Sequence, residues 1–69
     1  MTFTAKQKLF IHEYAVDFNA TQAALRAGYS PRTARAMGHE NLTKPDIKEE
    51  IGKILKERIL GLIDNPESI

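Results

Sequence analysis

The sequence predicts an all-α fold, four helices in one small domain. Three observations carry this. Apolar residues recur at spacings of three and four, and nowhere in the strict alternation of a strand. Residues that start and stop helices stand at workable intervals: Thr4, Asn19, Ser30-Pro31 and Pro45 (with Thr43 or Lys44 as its cap) as starts, Gly28 and Asp64-Asn65-Pro66 as stops. The 69 residues contain no cysteine, so neither a disulfide nor a thiolate–zinc staple is available and helix packing must hold the core.

The first helix is expected over 4–18. Thr4 and Gln7 form a capping box, in which the threonine hydroxyl accepts from the Gln7 N–H and the glutamine reaches back. Phe3, Gln7, Phe10, Tyr14 and Phe18, widened by Ile11, give it a buried aromatic face. The second helix is expected over 20–27, with Asn19 as cap and Gln22 completing a second capping box. Its apolar positions, Ala20, Ala23, Ala24 and Ala27, are all small and admit a neighbouring helix at close range. Gly28 supplies the left-handed residue that ends it.

The third helix is expected over 31–42, capped by Ser30, with Pro31 at the first helical position where its missing N–H costs nothing. Gly38 weakens that helix intrinsically. The fourth is expected over 45–63. Asp46, Glu49 and Glu50 early in it suit the positive end of the helix dipole. Its apolar stripe drifts. At about 100° per residue, Ile47, Ile51 and Ile54 share one side, whereas Leu55, Ile59, Leu62 and Ile63 move round to the next quarter. The N-terminal half is expected to pack on this domain. The C-terminal half either meets a second subunit or a following domain, or belongs to a curved helix wrapping a small core, or is a frayed end.

Helices two and three, joined by a tight glycine-containing turn, form a helix-turn-helix pattern. With Ala34 and Met37 turned inward, Arg32, Arg35, Ala36 and His39 share the outward face, with Thr33 at its edge. That is the composition of a DNA recognition helix: arginine to donate to guanine O6 and N7 or to phosphate, a small apolar residue to lie on a thymine methyl, and small hydroxyls. Ser30 and the open N–H groups at the helix start suit a phosphate. Arg26, Lys6, Lys8 and Lys44 are candidates for phosphate alone. Taken singly, Arg32 and Arg35 read as ordinary solvated arginines and His39 as a surface histidine. Their shared face beside the turn is what carries the DNA reading.

Enzyme readings fare poorly. His12-Glu13 and His39-Glu40 lack the second histidine of a zinc-protease helix, since positions 16 and 43 hold valine and threonine. No phosphate-binding GxxxxGK[ST] loop occurs, and Ser30 has no base placed by sequence. No catalysis, cofactor or metal is expected. The N-terminus has no signal-peptide core and no apolar run could span a bilayer, so a cytoplasmic location is expected.

The net charge of +1 looks unfavourable for DNA until it is divided along the chain. Residues 1–39 carry five basic and two acidic groups, 5 − 2 = +3; residues 40–69 carry five and seven, 5 − 7 = −2. From Phe18 to His39 there are three arginines and no acid.

The stretch Thr4-Ala5-Lys6-Gln7-Lys8-Leu9-Phe10, then Glu13-Tyr14, then Asn19-Ala20-Thr21-Gln22-Ala23-Ala24-Leu25-Arg26-Ala27-Gly28-Tyr29-Ser30, closely resembles the N-terminal domain of phage terminase small subunits. Thr33-Ala34, Gly38, Leu42, Pro45 and Ile47 fit as well, so the resemblance covers nearly the whole chain. It implies a helix-turn-helix domain that binds packaging-initiation sites on double-stranded viral DNA and does not cut. It also implies a homo-oligomeric ring and a large terminase subunit, an ATPase and nuclease, as partner, in the cytoplasm of a bacterial host carrying a phage or prophage. Family members usually continue into an oligomerisation region, which the fourth helix would lead into. This chain, ending at Ile69, is then expected to be a DNA-binding fragment or a short member of the family. A transcriptional regulator built on the same motif, or a protein-interaction module that never meets DNA, are the competing readings.

Overall fold

The computed structural model describes residues 3–63, and it is built from four helices: α1 Ala5–Asp17, α2 Ala20–Arg26, α3 Ala34–Thr43 and α4 Pro45–Ile63. Among the described residues there is no strand, in agreement with the all-α expectation.

α1 starts as its sequence dictates. The Gln7 N–H donates to Thr4 Oγ1 at 3.1 Å and the Thr4 N–H to Gln7 Oε1 at 2.9 Å, so both halves of the capping box are made. The helix stops at Asp17, because Phe18 takes a left-handed conformation (φ 57°) and its N–H closes on the Tyr14 carbonyl. That geometry lifts the last aromatic out of the core. Phe10 is buried and stacks on Tyr14 with centroids 5.8 Å apart, whereas Phe18 is exposed and meets Tyr14 edge-on. The expected aromatic face is thus buried only in part, and Ile11 and Ala15 complete it.

α2 follows at once. Asn19 caps it through Oδ1 to the Gln22 N–H at 3.1 Å, but the reciprocal half of the expected capping box is replaced: the Asn19 N–H donates to Asp17 Oδ1. At the far end the Tyr29 N–H donates to the Ala24 carbonyl and the Gly28 N–H to the Leu25 carbonyl, a Schellman closure with Gly28 at φ +104°. A side chain at Gly28 would meet only the Lys6 stem, at 3.8 Å, so the glycine answers to the backbone dihedral rather than to crowding.

α3 begins three residues later than the proline suggests. Ser30 to Thr33 form a turn in which the Ser30 carbonyl accepts from Thr33 N–H at 3.0 Å and Ala34 N–H at 2.8 Å. Pro31 occupies the second position of that turn, where its fixed φ is equally at home. The Ser30 hydroxyl pairs with Thr33 Oγ1 at 3.0 Å instead of capping a backbone N–H. Thr33 stands at the cap position and makes no side-chain cap bond.

Small residues set the α2–α3 crossing. Ala23, Ala24, Ala27 and Ala34 are fully or nearly fully buried. A Cβ built on Gly38 would lie 2.6 Å from the Ala20 carbonyl oxygen, so only glycine lets α3 come this close to the start of α2. The residue that weakens α3 as an isolated helix is therefore what seats it.

α4 packs its N-terminal half through Ile47 and Ile51, with Ile54 and Leu55 partly covered. It runs in the same direction as α1: Phe3 shares a groove with Glu49 and Lys53, Ile11 with Ile54 and Glu57, and Arg58 donates to the Ala15 carbonyl. Beyond that bond Ile59 and Leu60 are exposed, 57% and 45%. The side chains of Leu62 and Ile63, and the expected Asp64-Asn65-Pro66 stop, lie outside the described residues. No described helix is long and apolar enough to cross a membrane.

Candidate nucleic-acid interface

α3 divides cleanly into two sides. Ala34, Gly38 and Asn41, spaced by four and three, are buried, and Met37 and Leu42 flank them half-covered. Arg35, Ala36, His39, Glu40 and Thr43 occupy the opposite arc and are exposed, as are Ser30, Arg32 and Thr33 in the preceding turn. The expected face therefore stands together in space, with one addition. Glu40, four residues after Ala36, shares the arc and gives it an acidic border.

Nothing among the described residues holds the two arginines of this face. Among the described residues neither Arg32 nor Arg35 makes an ion pair, the ion-paired arginine being Arg26. No carbonyl among them accepts from the backbone N–H of Arg35 or Ala36, which are first-turn donors of α3. Two exposed guanidinium groups beside unfilled backbone donors make a surface suited to an anion with many oxygens.

Arg26 has a different place. Its Nε donates to Glu13 Oε1 at 2.6 Å, and its Nη2 to the Glu13 carbonyl at 3.1 Å and to both Asp17 oxygens at 3.2 Å. The guanidinium ties α2 to the end of α1 and is no free cation. Its two carboxylate partners, Glu13 first, raise its pKa further. Asp17 is held below its usual carboxylate range, chiefly by the Asn19 N–H it accepts and then by Arg26. Glu13 and Asp17 come from another helix, thirteen and nine residues back, so no local spacing announces the pairing.

Lys6 and Lys44 come together in one groove, along the Met37–Glu40 edge of α3, with Thr4, Gln7, Tyr29 and Asn41. The Lys6 ammonium lies 5.3 Å from the centre of the Tyr29 ring, a cation–π distance. Asn41 is the residue that the sequence reading missed. It is 1% exposed, and its Nδ2 donates to the Tyr29 hydroxyl at 3.3 Å while Oδ1 has no partner. Its position seven after Ala34, on the buried stripe, was the available signal. Lys8 stands apart from this groove, in the cleft between α1 and α4. Among the described residues no group of three or more His, Asp or Glu could hold a metal ion.

A family described as "Terminase small subunit" matches residues 3–69. The terminase small subunit of Bacillus phage SF6 is 55% identical over 53 residues, which cover 75% of this chain and 37% of that protein. The PBSX phage terminase small subunit of Bacillus subtilis is 43% identical over 54 residues, 78% of this chain and 20% of that protein. The terminase small subunit of Bacillus phage SPP1 is 36% identical over 63 residues, 84% and 43% of the two chains. This chain thus spans less than half the length of each. No solved structure matches it.

Proposed function

The chain belongs to the terminase small subunit family, and from that premise we propose that its α2–turn–α3 unit is a helix-turn-helix that binds double-stranded DNA when packaging of a viral genome begins. The observation that carries the reading is the outer face formed by the 30–33 turn and α3, where Arg32 and Arg35 are exposed and unpaired among the described residues while Ala36 and His39 share the α3 arc with Arg35. α3 enters the major groove with its N-terminal end foremost. Arg32 and Arg35 donate to guanine edges or phosphates, Ala36 lies against the groove floor, and the Arg35 and Ala36 N–H groups with Ser30 and Thr33 take a phosphate. Lys6 and Lys44 reach the flanking backbone. Arg26 holds the α1–α2 corner in place and does not touch DNA.

The role is recognition and delivery, with no catalytic step in this chain. The large terminase subunit supplies ATP hydrolysis and cleavage, in the cytoplasm of the host. A lone module makes few contacts and binds weakly. Copies joined in a homo-oligomer, assembled through regions beyond this domain, multiply that affinity by effective concentration.

A mobility-shift titration over several salt concentrations tests the reading. The logarithm of the affinity falls linearly with the logarithm of salt concentration, by ~0.9 per phosphate contact. Arg32→Ala with Arg35→Ala is expected to abolish detectable binding while leaving the helical circular dichroism intact. Unchanged binding by that variant contradicts the proposed face.

A further inference from the structure

α4 sorts its charges by face. Asp46, Glu49 and Glu50 line the groove that holds Phe3, and Glu50 and Glu57 line the cleft with Lys8 and His12, so the acidic side is turned toward α1. Lys53 lies among these acids. It pairs with Glu50 at 3.2 Å, and Glu50, Glu49 and Glu57 raise its pKa.

Lys44, Lys48, Gly52 and Lys56 recur every fourth residue and form a single ridge. Lys48 and Lys56 are exposed, and neither makes an ion pair among the described residues. No acid stands three or four residues from either within α4: Lys48 has Lys44, Pro45, Ile51 and Gly52 at those positions, and Lys56 has Gly52, Lys53, Ile59 and Leu60. Lys44 and Lys48, one turn apart, repel, so this end of the ridge costs the helix stability. Gly52, in its middle, costs more, and a Cβ there would meet nothing within 4 Å. Neither feature has a packing reason among the described residues. Together they make a positive ridge with a bare backbone notch.

We propose that the ridge formed by Lys44, just before α4, and by Lys48 and Lys56 within it is a second DNA-backbone contact, holding phosphates beyond the stretch engaged by α3. The inference rests on the DNA-binding reading above. Twelve residues of helix span about 18 Å, and B-DNA carries a phosphate about every 3.4 Å of axis on each strand, so the ridge matches about five phosphate steps. Lysine ammoniums on flexible stems suit phosphates in any register, without base selection. A second copy's acidic α4 face is the lesser match, because that face is turned to α1 and Glu50 is already engaged by Lys53.

Fluorescence anisotropy of the chain with duplexes of about one and about three helical turns, each over a salt series, tests the ridge. Lys48→Gln with Lys56→Gln is expected to weaken binding to the long duplex at least tenfold at low salt. It should also lower the salt slope by about two, since each lost contact removes ~0.9. The short duplex should change less than twofold, and Lys48→Arg with Lys56→Arg should restore the long-duplex affinity. An unchanged slope and affinity on the long duplex overturns the proposal. So does a variant that binds DNA normally but sediments as a smaller species than the parent, which would assign the ridge to protein contact. If Arg32→Ala with Arg35→Ala still binds while the lysine variant does not, the α3 reading fails and the ridge stands. If the parent chain binds neither duplex, both fail.

Discussion

Arg26 and Arg35 lie one helix apart, yet one is bound to two carboxylates and a carbonyl and the other makes no ion pair among the described residues. Arg26 at the α1–α2 corner satisfies two carboxylates and a carbonyl. Arg35 on α3, with Arg32 in the turn before it, makes no ion pair among the described residues. The same side chain thus serves the fold in one region and stays available in the other. What decides is whether a neighbouring helix places an acid within reach. The basic count of a segment therefore overstates its DNA-binding capacity until internal pairs are removed. Of the three arginines between Phe18 and His39, two remain.

That division predicts that substitutions on the supporting side change stability and leave the DNA affinity of the folded chain intact. Gly38→Ala is expected to have the largest effect. Its new methyl meets the Ala20 backbone oxygen at 2.6 Å, and backbone cannot rotate aside as a side chain does. Overpacking of this kind costs roughly 1–3 kcal/mol, read as a lowered urea midpoint. Gly28→Ala should cost about 1 kcal/mol through its positive φ alone. Gly52→Ala should go the other way. With open space around it, the alanine should gain α4 up to ~1 kcal/mol, so two glycines inside helices respond with opposite signs. A Gly52→Ala chain that melts earlier than the parent would place an undetected neighbour at that site.

The smallest effect belongs to Arg26→Gln, because the pair is exposed. It should lower the melting temperature slightly at neutral pH and leave DNA affinity unchanged. Asp17 titrates lower in the folded chain than in the unfolded one, so its contribution is present above the unfolded value near pH ~4 and disappears as pH falls through the folded value. The difference between parent and variant melting curves should therefore shrink as pH falls below about 4, leaving only what the bond to the Glu13 carbonyl contributes. A difference that stays constant across that range would contradict the ion-pair role of Arg26.

Much of this arrangement was legible in the sequence, because much of it is local. The capping box of Thr4 and Gln7, the Asn19 cap, the left-handed Gly28 and the exposed set Arg32, Arg35, Ala36 and His39 all follow from residues within one or two turns of each other. Ser30-Pro31 was ambiguous for a physical reason. A proline's fixed φ serves the first residue of a helix and the second of a turn equally, and the Ser30 carbonyl bonds chose the turn. The remainder depends on contacts between distant residues. Glu13 and Asp17 reach Arg26 from another helix, Ala20 gives Gly38 its purpose, and Tyr29 meets the buried Asn41. Dividing the charge at residue 39 had made the second half look merely acidic. Folding turns its acids toward α1 and leaves Lys48 and Lys56 exposed.

The most direct measurement of the central claim is an amide NMR titration of the chain with a short duplex at low salt. The account predicts that the largest shifts fall on residues 30–39, with smaller ones at Lys6 and Lys44, and that the Arg26 side-chain signal stays in place. Shifts centred instead on the exposed Leu9–Val16 side of α1, or on Arg26, with residues 30–39 unmoved, would contradict it.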